Sequence, residues 1–160
     1  MSNVTFGTST AGVERTAPAA DTALLLARIA LALPFIYHGA AIAFGAFGGP
    51  GLQGFSGFTH MPLAVAALVG YGEFLGGLGV LFGVLSRLAG GGLSLIMLGA
   101  IVMVHLKNGY DSQKQGFEHP LTLLLLALAV VAAGPGRRTL AHFLPLPKRP
   151  GTDQPLPILE

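Results

Sequence analysis

Residues 63–85 read LAVAALVGYGEFLGGLGVLFGVL, a stretch whose one charged side chain is Glu73. A bilayer core about 30 Å thick is crossed by roughly 20 apolar residues in a helix, so this segment reads as a membrane span. A carboxyl group near the middle of such a span has to be protonated, paired, or open to a water-filled cavity. Its neighbours three and four residues away are Gly70, Val69, Gly76 and Gly77. Small residues on that face let another helix approach closely, so Glu73 is expected to face protein and not lipid.

Working outward, three further apolar segments fill residues 23–44, 88–106 and 118–134. The chain is therefore expected to be all-α, an integral membrane bundle of four transmembrane helices. Hydrophobic residues make up 52% and charged residues 10% of the sequence. A soluble domain carries about 25% charged residues, so that class is excluded. No cysteine is present, which removes thiol relays, disulfides and iron–sulfur clusters built by this chain. The sequence pI is near 9.3, but the basic residues never cluster beyond Arg137-Arg138. A nucleic-acid partner is not expected.

The basic residues serve better as topology signals. Arg15, Arg28, Arg87, Arg137, Arg138, Lys148 and Arg149 fall on the side of the termini and the middle turn, against Lys107 and Lys114 on the other. The positive-inside rule then puts both termini in the cytoplasm. Residues 1–22 are Ser/Thr/Ala-rich without a cationic start, and read as a loose leader before an uncleaved first helix. Residues 139–160 carry Pro145, Pro147, Pro150, Pro155 and Pro157, and read as an extended tail outside the 23–138 membrane domain. The turn 83–87 is short enough to make the second and third segments an antiparallel hairpin. After the first segment, the Gly- and Phe-rich stretch 45–58 suits an interfacial or re-entrant outer loop.

Ionisable and polar residues in or beside the spans are the candidates for function. At about 1.5 Å of rise per residue, Arg28 sits in the inner part of the first helix and His38 in its outer half. Glu73 lies near mid-membrane, while His105, Asn108, Glu118 and His119 gather at the outer level. Glu73 is either a proton-accepting or ligand-binding acid or the structural partner of Arg28. His38 follows Pro34 by one turn and is a proton relay, a hydrogen-bond donor to a quinone carbonyl, or a neutral histidine bonded to another helix. His105 with Asn108, and Glu118 with His119, are either site residues or helix-end caps. No helix carries paired ligands at metal-binding spacing, so neither a metal nor a haem is expected. Gly72–Gly76 and Gly79–Gly83 have the small-xxx-small spacing of helix association, which leaves a homo-oligomer open.

His38-Gly39, Phe44-Gly45, Phe47-Gly48-Gly49-Pro50-Gly51-Leu52 with Gly54-Phe55, and Glu73 ahead of Gly76-Gly77 form an ordered series. Ser86-Arg87-Leu88, Val104-His105 with Asn108-Gly109-Tyr110, and Gly134-Pro135-Gly136-Arg137 continue it. From about Arg28 to Arg138 this series resembles the DoxX family of bacterial four-helix membrane proteins. Many relatives carry a lysine four residues after the first histidine, where this chain has Ile42. The resemblance implies a multi-pass protein of the bacterial cytoplasmic membrane linked to redox processes. Such members include a membrane subunit of thiosulfate:quinone oxidoreductase and a component of an oxidant-defence complex assembled with soluble enzymes. It implies a quinone or similar lipophilic ligand held by Arg28, His38, Glu73, His105 and Asn108, within a quinone-linked oxidoreductase subunit. The alternative is a non-catalytic scaffold anchoring soluble redox enzymes, and a solute transporter is a more distant third.

Overall fold

The computed structural model describes residues 11–140, with side chains described from Pro18 onward. It is all-helical: α1 (Ala11–Phe44), α2 (Gly51–Thr59), α3 (Leu63–Phe82), α4 (Ser86–Ala100) and α5 (Glu118–Ala133). A π-helical segment, Ile101–His105, and a short 3₁₀ turn, Leu106–Asn108, prolong α4. Residues 1–10 of the expected leader and 141–160 of the expected tail lie outside the described residues.

Among the described residues, three helices are long and apolar enough to cross a membrane: residues 18–44 of α1, α3, and α4 with its extension to Asn108. With 16 residues, α5 is about 24 Å long, short of the ~30 Å hydrocarbon core. Helix α1 starts at Ala11 and not at Ala23. It runs back through what reads as leader despite an interior Pro18. Between the first two spans, the glycine-rich stretch contains α2, which the sequence leaves as loop. Its Leu52 and Phe55 are half-buried where α2 packs on α1 and α3, and that burial overrides the poor propensity of Gly51, Gly54 and Gly57.

Helix α3 ends at Phe82, three residues before the expected Leu85, for a specific reason. Gly83 takes the left-handed conformation at φ 73°. Val84 N then donates to Gly79 O at 3.0 Å and Gly83 N to Val80 O at 3.2 Å, the reciprocal pattern of a Schellman stop. The chain turns straight into α4, giving the antiparallel hairpin.

Around the bundle, α1 packs most extensively on α3, α3 on α4, and α4 on α5, while α1 and α5 meet sparsely. Leu31, Ala32, Phe35, Val80, Leu93, Met97, Leu123, Ala127 and Val130 form the shared core. Large apolar side chains such as Leu26, Leu68, Leu95 and Leu125 are exposed on the outside. A helix apolar all round belongs in lipid.

Glycines set the α1–α3 contact. A methyl group on Gly39 would stand 2.7 Å from Phe74 Cα and 2.8 Å from Gly70 O, with rigid backbone on the far side. Gly39→Val is therefore expected to lower the thermal midpoint in detergent by the equivalent of about 3 kcal/mol. Gly91→Ala, where nothing lies within 4 Å, is expected to raise stability by about 0.5–1 kcal/mol in the same assay.

Candidate functional site

Arg28 is buried to 1% exposure, and every bond it makes is to a backbone carbonyl. Nε donates to Val80 O at 2.8 Å, and Nη2 to Leu81 O at 2.5 Å. Nη1 donates to Pro135 O at 2.9 Å and to Arg138 O at 2.8 Å. Val80 and Leu81 lie in the last turn of α3, whose terminal carbonyls have no partner within the helix and carry the negative end of its dipole. Pro135 and Arg138 follow the end of α5. Inserting an arginine into a membrane costs about 3 kcal/mol on insertion scales, whereas hydrogen bonds to a charged group contribute about 1.5–3 kcal/mol each. Four such bonds outweigh the cost, and no carboxylate is needed.

Of the two readings of Glu73, the ion pair with Arg28 is not formed. Depth explains it. Gly70 abuts Ile42 and Ala43 of α1, and Gly77 abuts Ile36 and Ala32. Glu73, between them, lies level with His38 and Gly39, about ten residues or ~15 Å along α1 from Arg28.

Two neighbouring contacts fasten the same end of the bundle. Arg87, at the start of α4, donates through Nη1 to Val131 O at 2.7 Å and Ala132 O at 3.3 Å, covering the last turn of α5. Asp21 Oδ1 accepts from Arg137 N at 3.0 Å. Neither Arg87 nor Asp21 stands out in the sequence as more than a surface charge. The one available signal was an arginine immediately after a helix-ending glycine turn.

Glu73 lies away from this clasp, at mid-length of α3. It is 6% exposed, and its Oε2 has no hydrogen-bond partner among the described residues. On α3, Gly70 and Gly77 face α1 while Gly72 and Gly76 face Ile96 and Leu93 of α4. By helical periodicity the arc between those two faces points into the bundle toward α5, and Glu73 sits on it. Buried polar atoms without a partner are rare in folded proteins and call for an explanation.

His38 occupies the flank of α1 at the same depth. It is exposed, its ring meets Tyr37 edge-on at 5.5 Å, and Tyr37 is stacked on Phe47 at 4.8 Å. His119, exposed at the start of α5, lies within electrostatic range of His38. Since α1 and α5 are sparsely packed, these two histidines flank the loosest seam of the bundle.

The other candidates hold the outer connection together. His105 Nδ1 lies 2.7 Å from Gln115 O, and Asn108 Nδ2 donates to the same oxygen at 3.1 Å. A carbonyl only accepts, so Nδ1 carries the proton and Nε2 is left as an acceptor in the neutral ring. Glu118 Oε2 accepts from Ser112 N at 3.2 Å. From Ile96, level with Glu73, His105 is nine residues or about 14 Å farther along α4. The candidates thus divide into a clasp at one end of the bundle (Arg28), a layer nearer its middle (Glu73, His38, His119) and loop fasteners (His105, Asn108, Glu118). No cluster of three or more histidine or acidic side chains that could hold a metal occurs among the described residues.

A surface groove of about 480 Å³ is lined by Ala64, Ala67, Leu68, Tyr71, Gly72 and Leu75 of α3. None of the candidate residues lines it.

The family model described as DoxX matches residues 23–106. This chain belongs to the DoxX family. It is a membrane protein with several helices suited to crossing the bilayer, and the matched region contains Arg28, His38, Glu73 and His105. Asn108, Glu118 and His119 fall beyond it. No curated protein and no solved structure matches the chain significantly.

The clasp makes a direct expectation for this DoxX protein. Arg28→Met removes four hydrogen bonds to backbone carbonyls and is expected to cost at least ~3 kcal/mol in thermal or denaturant unfolding, with Arg28→Lys recovering only part. Combined with Glu73→Gln, the two effects are expected to add within about 0.5 kcal/mol, as they do for residues that share no contact.

Proposed function

We propose that this DoxX protein binds a lipophilic, hydrogen-bonding small molecule, a quinone or one of similar chemistry, in the outer half of its helix bundle. The observation that carries the reading is Glu73 Oε2, a buried oxygen with no protein partner, level with His38. The residues present fit such a ligand. A ring bearing carbonyl or hydroxyl groups offers the donor or acceptor that Glu73 lacks, and the apolar bundle suits its hydrocarbon part. A quinone would supply two-electron chemistry coupled to proton uptake.

In this reading Glu73 holds or releases a proton at its free oxygen. His38 and His119 exchange protons between the ligand and the outer boundary, and the seam between α1 and α5 admits the ligand sideways from lipid. Arg28 takes no part in orienting the ligand, because its donors are spent on the inner clasp. His105 and Asn108 act by shaping the loop that leads into α5.

The topology that accompanies the proposal has four spans, α5 being completed by its flanking residues, with both termini in the cytoplasm of a bacterium. Arg28, Arg87, Arg137 and Arg138 gather at the inner end, in keeping with the positive-inside rule. The family connection also leaves room for soluble redox enzymes docking on the membrane subunit.

A non-catalytic scaffold is the second reading. It is favoured by the observation that most of the polar side chains have purely architectural partners: Arg28, Arg87, Asn108 and Glu118 all fasten backbone.

Organic extraction and mass spectrometry of detergent-purified protein separates the two. Wild type is expected to carry a lipophilic redox compound near stoichiometry. Glu73→Gln and His38→Ala are expected to lose it while keeping the wild-type thermal midpoint. His105→Ala is expected to keep the ligand and lose loop order. Equal ligand content in all variants, or none in wild type, transfers the case to the scaffold.

A further inference from the structure

The segment joining α1 to α3 has properties that the ligand site does not use. From Gly45 to Pro62 it contains no aspartate, glutamate, lysine or arginine. Its two ends are fixed to helices suited to crossing the membrane, at Phe44 and Leu63. Yet Phe47 is 70% exposed and Phe58 79% exposed, the latter on a helix, α2, whose Leu52 and Phe55 turn toward the bundle. These aromatics continue the exposed apolar surface of Phe44 on α1 and Leu63 on α3.

The polar groups of the segment are arranged to do without water. Ser56 Oγ donates to Met61 O at 2.7 Å and Thr59 Oγ1 to Phe55 O at 2.7 Å. Gly49 N donates to Ala46 O at 2.9 Å. Backbone that enters a low-water layer has to be satisfied internally, and these bonds satisfy the Ala46, Phe55 and Met61 carbonyls. Phe47 also holds a left-handed backbone, φ 56°, which a non-glycine residue adopts only when its surroundings compensate. Here its ring is laid flat on Tyr37, near the aromatic rim of α1.

We infer that α2 and the turn before it form a membrane-surface anchor, lying in the plane of the boundary between lipid headgroups and acyl chains. Phe47 and Phe58 enter the lipid while Gln53 and His60 stay at the wet side. The partner is the lipid surface itself, since both ends of the segment are tethered to helices suited to crossing the membrane, the segment carries no charged residue, and its exposed large apolar side chains are Phe47 and Phe58. Helices in this boundary insert their apolar side chains about 5–10 Å deep; here those are Phe58 and, on the preceding turn, Phe47. The anchor would hold the outer ends of α1 and α3 at a fixed depth beside His38.

The chain contains no tryptophan, so Phe47→Trp and Phe58→Trp each introduce a single depth probe. Each full-length variant, checked for unchanged helix content, is reconstituted in phosphatidylcholine vesicles. The vesicles contain lipid brominated either near the headgroup or near the chain end, and Leu95→Trp on the lipid-facing side of α4 serves as the deep control. Quenching of both loop probes is expected to be strongest with bromine near the headgroup, with weak access to aqueous acrylamide. Stronger quenching by bromine near the chain end would make the segment re-entrant and overturn the anchor. Strong acrylamide quenching without bromine quenching would place the segment in water and also overturn it.

Discussion

The arrangement of this bundle depends on where one buried cation finds its partners. Arg28 gathers the last carbonyls of α3 and two carbonyls after α5 onto a single guanidinium. Of those oxygens, Val80 O also accepts from Gly83 N, and for the others the guanidinium is the donor; a carbonyl left without one is an expensive fault at a membrane helix end. With this one contact, three stretches of chain far apart in sequence are brought to a common level, and Arg87 repeats the device for the last turn of α5. That end of the bundle is thus held mainly by charge against helix dipoles and backbone oxygens, with Asp21 adding one carboxylate acceptor.

Because the clasp meets its own electrostatic needs, Glu73 is left without a counter-charge. The glycines at 70 and 77 bring α3 against α1, and those at 72 and 76 bring it against α4. Close approach on both flanks points the one acidic side chain of the helix at the bundle interior. Packing and electrostatics therefore separate two kinds of polar residue that look alike in a hydropathy profile. One is saturated and architectural, the other buried and unsatisfied.

Much of this was legible in the sequence, for reasons that differ by residue. The long apolar helices follow from composition and length, and the depths of Arg28, His38 and Glu73 follow from helix rise, which is a local property. The partner of Arg28 was not legible, because a backbone carbonyl has no residue identity and any sequence can supply it. Helix α2 was hidden for the converse reason. Its glycines argue against a helix, and the packing of Leu52 and Phe55 that overrides them is tertiary. The histidines divided along the same line: His105 was caught at a helix end as a cap or a site, but only the fold reveals that Gln115 O receives both its proton and that of Asn108. His119 looked like part of a helix start, and only the meeting of α1 with α5 sets it near His38.

The main-chain character of the Arg28 acceptors has an evolutionary consequence. Substituting the side chains at Val80, Leu81 or Arg138 leaves their carbonyl oxygens in place, so those positions are free to drift so long as the backbone path is kept. The donor has no such freedom, since no other side chain presents several N–H groups in one plane. Selection on this contact therefore falls on one side only, and a search for a covarying partner of Arg28 among related sequences would find none.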